Sequence, residues 1–171
     1  SIKTLATKVD EGFIINGSKH FITNGQEAGI VIVVASTDPG LGSKGLETFI
    51  LEAPSEGLTV TPQPGKLGIR ASSTCELNFN NVFIPNENRL GKASKGFHMT
   101  MQVLDAGRIL IAAQSVGIAQ MALEISIQYA QQRKAFGNYI SEFQAIQNKL
   151  ADMATEIQAA RLLTYRSAAL S

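Results

Sequence analysis

Residues 15–25, Ile-Asn-Gly-Ser-Lys-His-Phe-Ile-Thr-Asn-Gly, set the class of the first half of the chain. Two Asn-Gly pairs, Asn16-Gly17 and Asn24-Gly25, bracket the strand-like run Lys19–Thr23. Asn-Gly readily takes the left-handed backbone that tight turns need, so each pair reads as a turn between short strands. Moving toward the N-terminus, Phe13–Ile15 and Ile2–Val9 are strand candidates joined by the turn Asp10-Glu11-Gly12. Moving toward the C-terminus, Ile30–Ser36 is continuously apolar, as expected of a strand buried on both faces. A loop from Asp38 to Gly45 precedes further strand candidates at Leu46–Glu52, Leu58–Thr61, Thr74–Phe79 and Asn81–Ile84. Pro64-Gly65 and Asn80-Asn81 separate the later ones, and Pro85 with Asn86–Gly91 reads as the exit. Short strands with frequent turn residues imply a small antiparallel β-barrel or sandwich.

From about Ser94 the apolar period changes from two to a helical one. Val103, Leu104, Leu110, Ile111, Ile118, Met121, Ile125 and Tyr129 recur at steps of three and four, or nearly so. Gly107 and Gly117 interrupt this helix at about 1 kcal/mol each relative to Ala, through close approach of a partner or ligand or through simple tolerance. Phe136-Gly137 marks a break, and Ser141 is placed to cap a second helix. There Phe143, Ile146, Leu150, Met153, Ile157 and Ala160 form a bundle-like apolar seam. Two helices cannot close a four-helix bundle, so the others are expected from sequence past Ser171 or from other chains. The fold class is therefore α+β and multidomain. Residues 1–92 read as a β domain whose start is cut, and residues 93–171 read as two long helices of an incomplete bundle. Both ends of the chain read as cut.

Composition excludes several functions. With 44% hydrophobic and 17% charged residues, the chain has globular composition. A net charge of +1, from 15 basic and 14 acidic residues, gives no sign of nucleic-acid binding. The consecutive apolar runs Ile30–Ala35 and Ile109–Ala113 are far shorter than the ~20 residues of a membrane span. Cys75 is the single cysteine, so neither an internal disulfide nor a cysteine-based zinc site can form. His20 and His98 have no paired ligands nearby in sequence, and no metal is expected. Dinucleotide, P-loop, HExxH and nucleophile-elbow motifs are absent. Asp105 and Arg108 share a helix face, as a plain ion pair would. Arg133-Lys134 at a helix end suits either the helix dipole or a phosphate. Phe21–Thr23 is a strand end followed by a turn. On these grounds alone the chain is a β-plus-helix protein with a hint of phosphate binding.

Eight blocks in register resemble the acyl-CoA dehydrogenase family, and its short-chain and short/branched-chain members in particular. They are SIKTLA (1–6), INGSKHFITNG (15–25), KLGIRASST (66–74), VFIPNENRLG (82–91), LDAGRILIAAQSVGIAQ (104–120), QRKAFG (132–137), FQAIQNKLADM (143–153) and ARLLTYRSA (160–168). Each block alone is weak; their order over nearly the whole chain is specific. The resemblance implies a central piece of an enzyme in which a carboxylate takes the α proton of an acyl-CoA and a hydride passes to FAD.

The same resemblance implies residue roles. Phe21, Ile22 and Thr23 match a flavin-contacting stretch in which an aromatic ring packs by the isoalloxazine and Thr meets its polar atoms. Many members have Trp where this chain has Phe21, which keeps the aromatic face but loses the indole N–H. Arg133 and Gln144 match positions that reach the FAD of a neighbouring subunit, which implies a homo-oligomer, usually a tetramer. Phe136 either lines the same pocket or is a core residue. Asp105, Ala106, Gly107 and Arg108 match a stretch that contacts the acyl-CoA. Isovaleryl- and long-chain-type members carry the catalytic glutamate at the position of Gly107, so the base is expected past Ser171 and no catalytic residue in this chain. The implied acceptor of electrons is an electron-transfer flavoprotein, and the implied location is bacterial cytoplasm or mitochondrial matrix. The alternatives are a dehydrogenase of another CoA thioester (branched, dicarboxylic or aromatic) and a non-catalytic flavin-binding or assembly piece.

Overall fold

A computed structural model describes residues 2–171. The chain divides into two compact units, 1–101 and 102–171.

The first unit holds seven strands: β1 Leu5–Val9, β2 Gly12–Thr23, β3 Ile30–Ser36, β4 Leu46–Glu52, β5 Leu58–Pro62, β6 Thr74–Pro85 and β7 Arg89–Leu90. They form one sheet in the order β5-β6-β2-β1-β3-β4-β7. All pairings are antiparallel except β1 with β3, a parallel contact at Leu5 and Ser36. The two outermost strands, β5 and β7, do not pair with each other, so closure into a barrel is not seen among the described residues. The core is one cluster that includes Phe13, Ile15, Val33, Phe49, Leu51, Leu77, Val82 and Ile84. The Phe13 and Phe49 rings tilt against each other with centroids 4.9 Å apart.

Two expected turns meet instead at one bulge between long strands. Ile15 pairs with Val82 and Gly17 with Phe79, so Asn80 and Asn81 together oppose Asn16. Asn81 takes the left-handed φ of 56°. Its backbone N–H donates to Asn16 Oδ1 at 2.9 Å, and Asn16 Nδ2 donates to Asn81 Oδ1 at 3.1 Å. The residues that favour turns also favour a bulge, because both need the left-handed backbone. The inserted residue resets the inward face of β6. Cys75, Leu77 and Phe79 point inward before the bulge, and Val82 and Ile84 after it. Without the bulge, strict alternation would turn Val82 and Ile84 outward.

Other departures have equally local causes. β3 has the expected bounds, but Ile30 and Ile32 are 63% and 54% exposed, so it is buried on one face only. The Asp38–Gly45 loop contains 3-10 turns over Pro39–Gly45, started by Asp38 Oδ1 accepting from Gly40 N at 2.8 Å. Within the exit segment, Arg89-Leu90 pairs with β4 and sets the Arg89 guanidinium 3.5 Å from the buried Glu47 carboxylate. Gly25 lies over Cys75, where a Cβ would come within 2.5 Å of Sγ. Burial holds the Cys75 thiol above its ordinary pKa, with the charge of Glu27 acting the same way against a Gly25 backbone hydrogen bond.

In the second unit, helix α1, Gly96–Gln132, continues from the first unit and is followed by the short strands β8 Lys134–Ala135 and β9 Asn138–Tyr139, then helix α2, Gln144–Leu170. Phe136 and Gly137 both have positive φ, 52° and 88°, as a two-residue hairpin turn requires. The expected break is thus a hairpin. Ser141 does not cap α2: it lies in a 3-10 turn over Ile140–Glu142, and the helix starts after Phe143 with no side-chain cap. Ser141 contributes its carbonyl, which accepts from Gln147 Nε2 at 2.9 Å.

The α2 seam meets α1 as expected at Leu150, Met153 and Ile157. The α1 seam does not. Its side of the contact is Val116, Ala119 and Leu123, while Val103, Leu110, Ile111, Ile118 and Tyr129 are between 57% and 72% exposed. α2 thus meets a face of α1 other than its large apolar one, and a cavity of about 510 Å³ lined in part by Ala112, Ser115, Ala119, Met153 and Ala160 lies between the two helices. A polar clasp sits beside the contact: Arg161 Nη2 donates to Gln120 Oε1 at 2.9 Å, and Gln120 Nε2 donates to Glu124 Oε1 at 2.8 Å. The large face gives α1 a segment of mean hydropathy 1.5, enough by length and composition alone for a membrane span. Counting only consecutive apolar residues missed this, because single polar residues break every run.

Phe49 is fully buried between β-strand neighbours and Phe13. Phe49→Ala is expected to cost about 3–5 kcal/mol, read as a lowered midpoint in urea unfolding followed by far-ultraviolet dichroism. A loss below about 1 kcal/mol would mean that the cluster does not pack around this ring.

Candidate functional site

A second register break shapes the end of β2. Lys19 pairs with Leu77 and Ile22 with Cys75, so β2 carries one residue more than β6 over this interval. Phe21 takes up the excess at φ 57°. Ile22 packs on the core, whereas Phe21 is turned out and is 79% exposed. A bulky residue rarely holds a left-handed backbone, and such strain is found preferentially at functional positions. Thr23 forms the last pair of the ladder, with Thr74, and is exposed. The stretch Phe21–Thr23 therefore offers a free aromatic face and a free hydroxyl side by side. His20 lies next to them, its Nδ1 3.4 Å from a Glu76 carboxylate oxygen. Behind them the Lys19 ammonium donates to the Val34 carbonyl at 2.6 Å, and burial lowers its pKa.

Arg133, Phe136 and Gln144 gather around the β8–β9 hairpin. Arg133 follows α1 directly, its N–H donating to the Tyr129 carbonyl and its carbonyl accepting from Ile140 N, both at 2.9 Å. Its side chain is exposed and makes no hydrogen bond or ion pair among the described residues. Phe136 is 97% exposed at the hairpin tip and meets Phe143 edge-on at 6.5 Å, so it is not a core residue in this unit. Gln144 is the first residue of α2. A helix start carries unpaired N–H groups and partial positive charge. An unpaired guanidinium suits an anion such as a pyrophosphate.

Asp105, Ala106, Gly107 and Arg108 occupy one turn of α1. Arg108 Nη1 donates to Asp105 Oδ1 at 2.5 Å, with both side chains 68% exposed. Such an exposed pair contributes roughly 0–1 kcal/mol. A Cβ built on Gly107 would meet nothing within 4 Å, and the same holds for Gly117. Packing within the chain therefore does not require either glycine. No cluster of potential metal ligands occurs among the described residues.

One cavity escaped the sequence reading. About 500 Å³ lies between β1, β3 and the turns before β4, lined in part by Lys3, Ser36, Ser43 and Leu46. Ser36 Oγ is buried there with no hydrogen-bond partner. A buried hydroxyl without a partner is costly and is commonly satisfied by a ligand or water. Nothing local in the sequence marks Ser36, because it closes an otherwise apolar strand.

Comparison with known proteins identifies relatives along nearly the whole chain. Residues 1–82 match the acyl-CoA dehydrogenase middle domain and residues 94–171 the acyl-CoA dehydrogenase C-terminal domain. The chain is 48% identical to a short-chain-specific acyl-CoA dehydrogenase of Megasphaera elsdenii, over 97% of this chain and 44% of that protein. It is 47% identical to a mitochondrial 2-methylacyl-CoA dehydrogenase of Solanum tuberosum, over 96% of this chain and 40% of the relative. A mitochondrial isovaleryl-CoA dehydrogenase of Oryza sativa is 46% identical over the same shares. The solved butyryl-CoA dehydrogenase of Megasphaera elsdenii superimposes with a TM-score of 0.92 at 48% identity, over 96% of this chain and 43% of that one. The chain thus spans less than half the length of the relatives it matches. With one family's middle and C-terminal domains matched in order along it, the chain belongs to the acyl-CoA dehydrogenase family.

Proposed function

We propose that these residues serve an enzyme that oxidises a short-chain acyl-CoA to the trans-2-enoyl-CoA with FAD and passes the electrons to an electron-transfer flavoprotein. The observation that carries the reading is the turned-out Phe21 beside Thr23, on a strand end within the middle-domain match. Residues 1–92 act as the flavin-binding β domain and 93–171 as the start of the helical domain. Bound FAD supplies the hydride acceptor. The Phe21 ring packs by its isoalloxazine, Ile22 anchors the strand beneath, and Thr23 meets its polar atoms. Arg133, with Gln144 and Phe136, holds the FAD of a neighbouring subunit, where an Arg fork suits pyrophosphate oxygens. The exposed apolar face of α1 favours assembly with further helices, as in a homotetramer, over a membrane span.

Asp105, Ala106 and Arg108 line the acyl-CoA, and Gly107 leaves room beside the thioester. The cavity at Ser36, with Lys3 in its lining, fits a polar part of the same ligand. The base that takes the α proton is a carboxylate outside these residues. The work of this chain is to place substrate against the acceptor, since orientation alone contributes several kcal/mol to such reactions. The near-equal identities to 2-methylacyl-, isovaleryl- and short-chain enzymes keep a branched acyl-CoA as the second reading. Gly107 argues against the isovaleryl type, because glycine cannot be the base. Mitochondrial and bacterial relatives support a mitochondrial matrix or bacterial cytoplasmic location.

The full-length protein is expected to be yellow and to bleach anaerobically with butyryl-CoA. Bleaching only with a branched acyl-CoA would select the second reading; colour without bleaching by any acyl-CoA would leave a flavoprotein that is no dehydrogenase. Arg133→Ala is expected to weaken FAD retention by about 1–3 kcal/mol, and unchanged flavin content after dialysis would remove the pyrophosphate role. Gly107→Gln meets open space and replaces a poor helix former without adding a base, so the melting temperature should hold or rise while turnover falls. Full turnover in that variant would place Gly107 away from the substrate.

A further inference from the structure

The loop between β5 and β6 is fastened to the Phe21–Thr23 strand end by polar contacts. Asn24, at φ 56°, donates its N–H to the Ser73 carbonyl at 3.1 Å. Ser72 Oγ donates to Asn24 Oδ1 at 3.1 Å, and Ser73 Oγ donates to Glu27 Oε2 at 2.5 Å. Glu27 is tied back by its own N–H, which donates to the Asn24 carbonyl at 3.2 Å. The loop is also stiffened from within. Lys66 Nζ donates to the Ser72 carbonyl at 2.5 Å, and Arg70 Nε donates to the Lys66 carbonyl at 2.9 Å.

Apolar burial does not explain this fastening. Leu67 and Ile69, the large apolar side chains of the loop, are 99% and 78% exposed. The Ser72 and Ser73 side chains instead bond Asn24 and Glu27, one and four residues after Thr23. On the other side Gly25 is packed against Cys75, and Ile22 against the core. The strand end is thus gripped from both sides while Phe21 is left free.

We infer that Ser73 and Glu27, with Ser72 and Asn24, are positioning residues that set the angle at which Thr23 and Phe21 meet the flavin. This rests on the reading that Phe21–Thr23 contacts FAD. A hydrogen bond from Thr23 to a ring atom depends on direction, so a strand end that swivels keeps its fold and loses catalytic alignment.

The test uses the full-length holoenzyme carrying Ser73→Ala, Glu27→Ala and the double variant, with Ser73→Thr as the conservative control. Flavin absorption bands, kcat, KM for butyryl-CoA and melting temperature are measured for each. The double variant is expected to lose about tenfold in kcat with altered flavin bands, and KM should stay within about twofold. The single variants should be non-additive, since both break one contact, and Ser73→Thr should restore the parent spectrum. Unaltered bands and kcat in the double variant would overturn the positioning role, as would a fall in melting temperature with the bands unmoved. Thr23→Val, measured in parallel, separates the two ideas. Altered bands in Thr23→Val beside a silent double variant defeat the clamp and leave the flavin site standing. Bands unmoved in Thr23→Val as well defeat both.

Discussion

The β2–β6 ladder is the constraint on which the first unit depends. Each strand is twelve residues long, and their pairing is broken twice. At the Asn16/Asn80-Asn81 break the extra residue lies on β6 and brings Val82 and Ile84 into the core with Phe79. At the Lys19/Ile22 break it lies on β2 and expels Phe21. One device therefore fills the core at one end and presents an aromatic ring at the other. Because a one-residue slip reverses the facing of everything beyond it, core and candidate site cannot be shifted independently.

The strand content was legible because alternation and turn chemistry are local. β3 and β4 have their expected bounds, and β5 differs by one residue. The bulge was read as two turns because Asn16-Gly17 and Asn80-Asn81 carry the same backbone preferences in either setting; only the partner strand decides. The two-residue β7 was hidden because its pairing with β4 depends on a neighbour more than thirty residues away. On α1, hydrophobicity marked the faces richest in large apolar groups, yet α2 meets the face of Val116, Ala119 and Leu123. Ser141 looked like a cap by type, but three residues of 3-10 turn move the helix start past it.

The candidate site was legible mainly through family likeness. Composition and spacing treat Phe21–Thr23 as an ordinary strand end, and Arg133 as a helix-end cation. The structure adds the physical reason these residues are available: a bulge exposes Phe21, and a hairpin leaves the Arg133 side chain without a protein partner. The orphaned hydroxyl of Ser36 has no signature in sequence, because its burial and lack of partners arise from segments meeting only in the fold.

The close seating of Gly25 on the Cys75 sulfur constrains the order in which this fold can accept change. Gly25 has no left-handed backbone to protect, so its requirement is one of space alone. A larger residue at 25 is barred while sulfur occupies 75, but shrinking 75 to alanine would open room, with Ile22 Cγ2 then the next obstacle at 3.1 Å. The two positions are therefore epistatic: a bulkier residue at 25 is reached most easily by losing the thiol first, whereas the reverse route passes through a variant in which the new side chain collides with the sulfur.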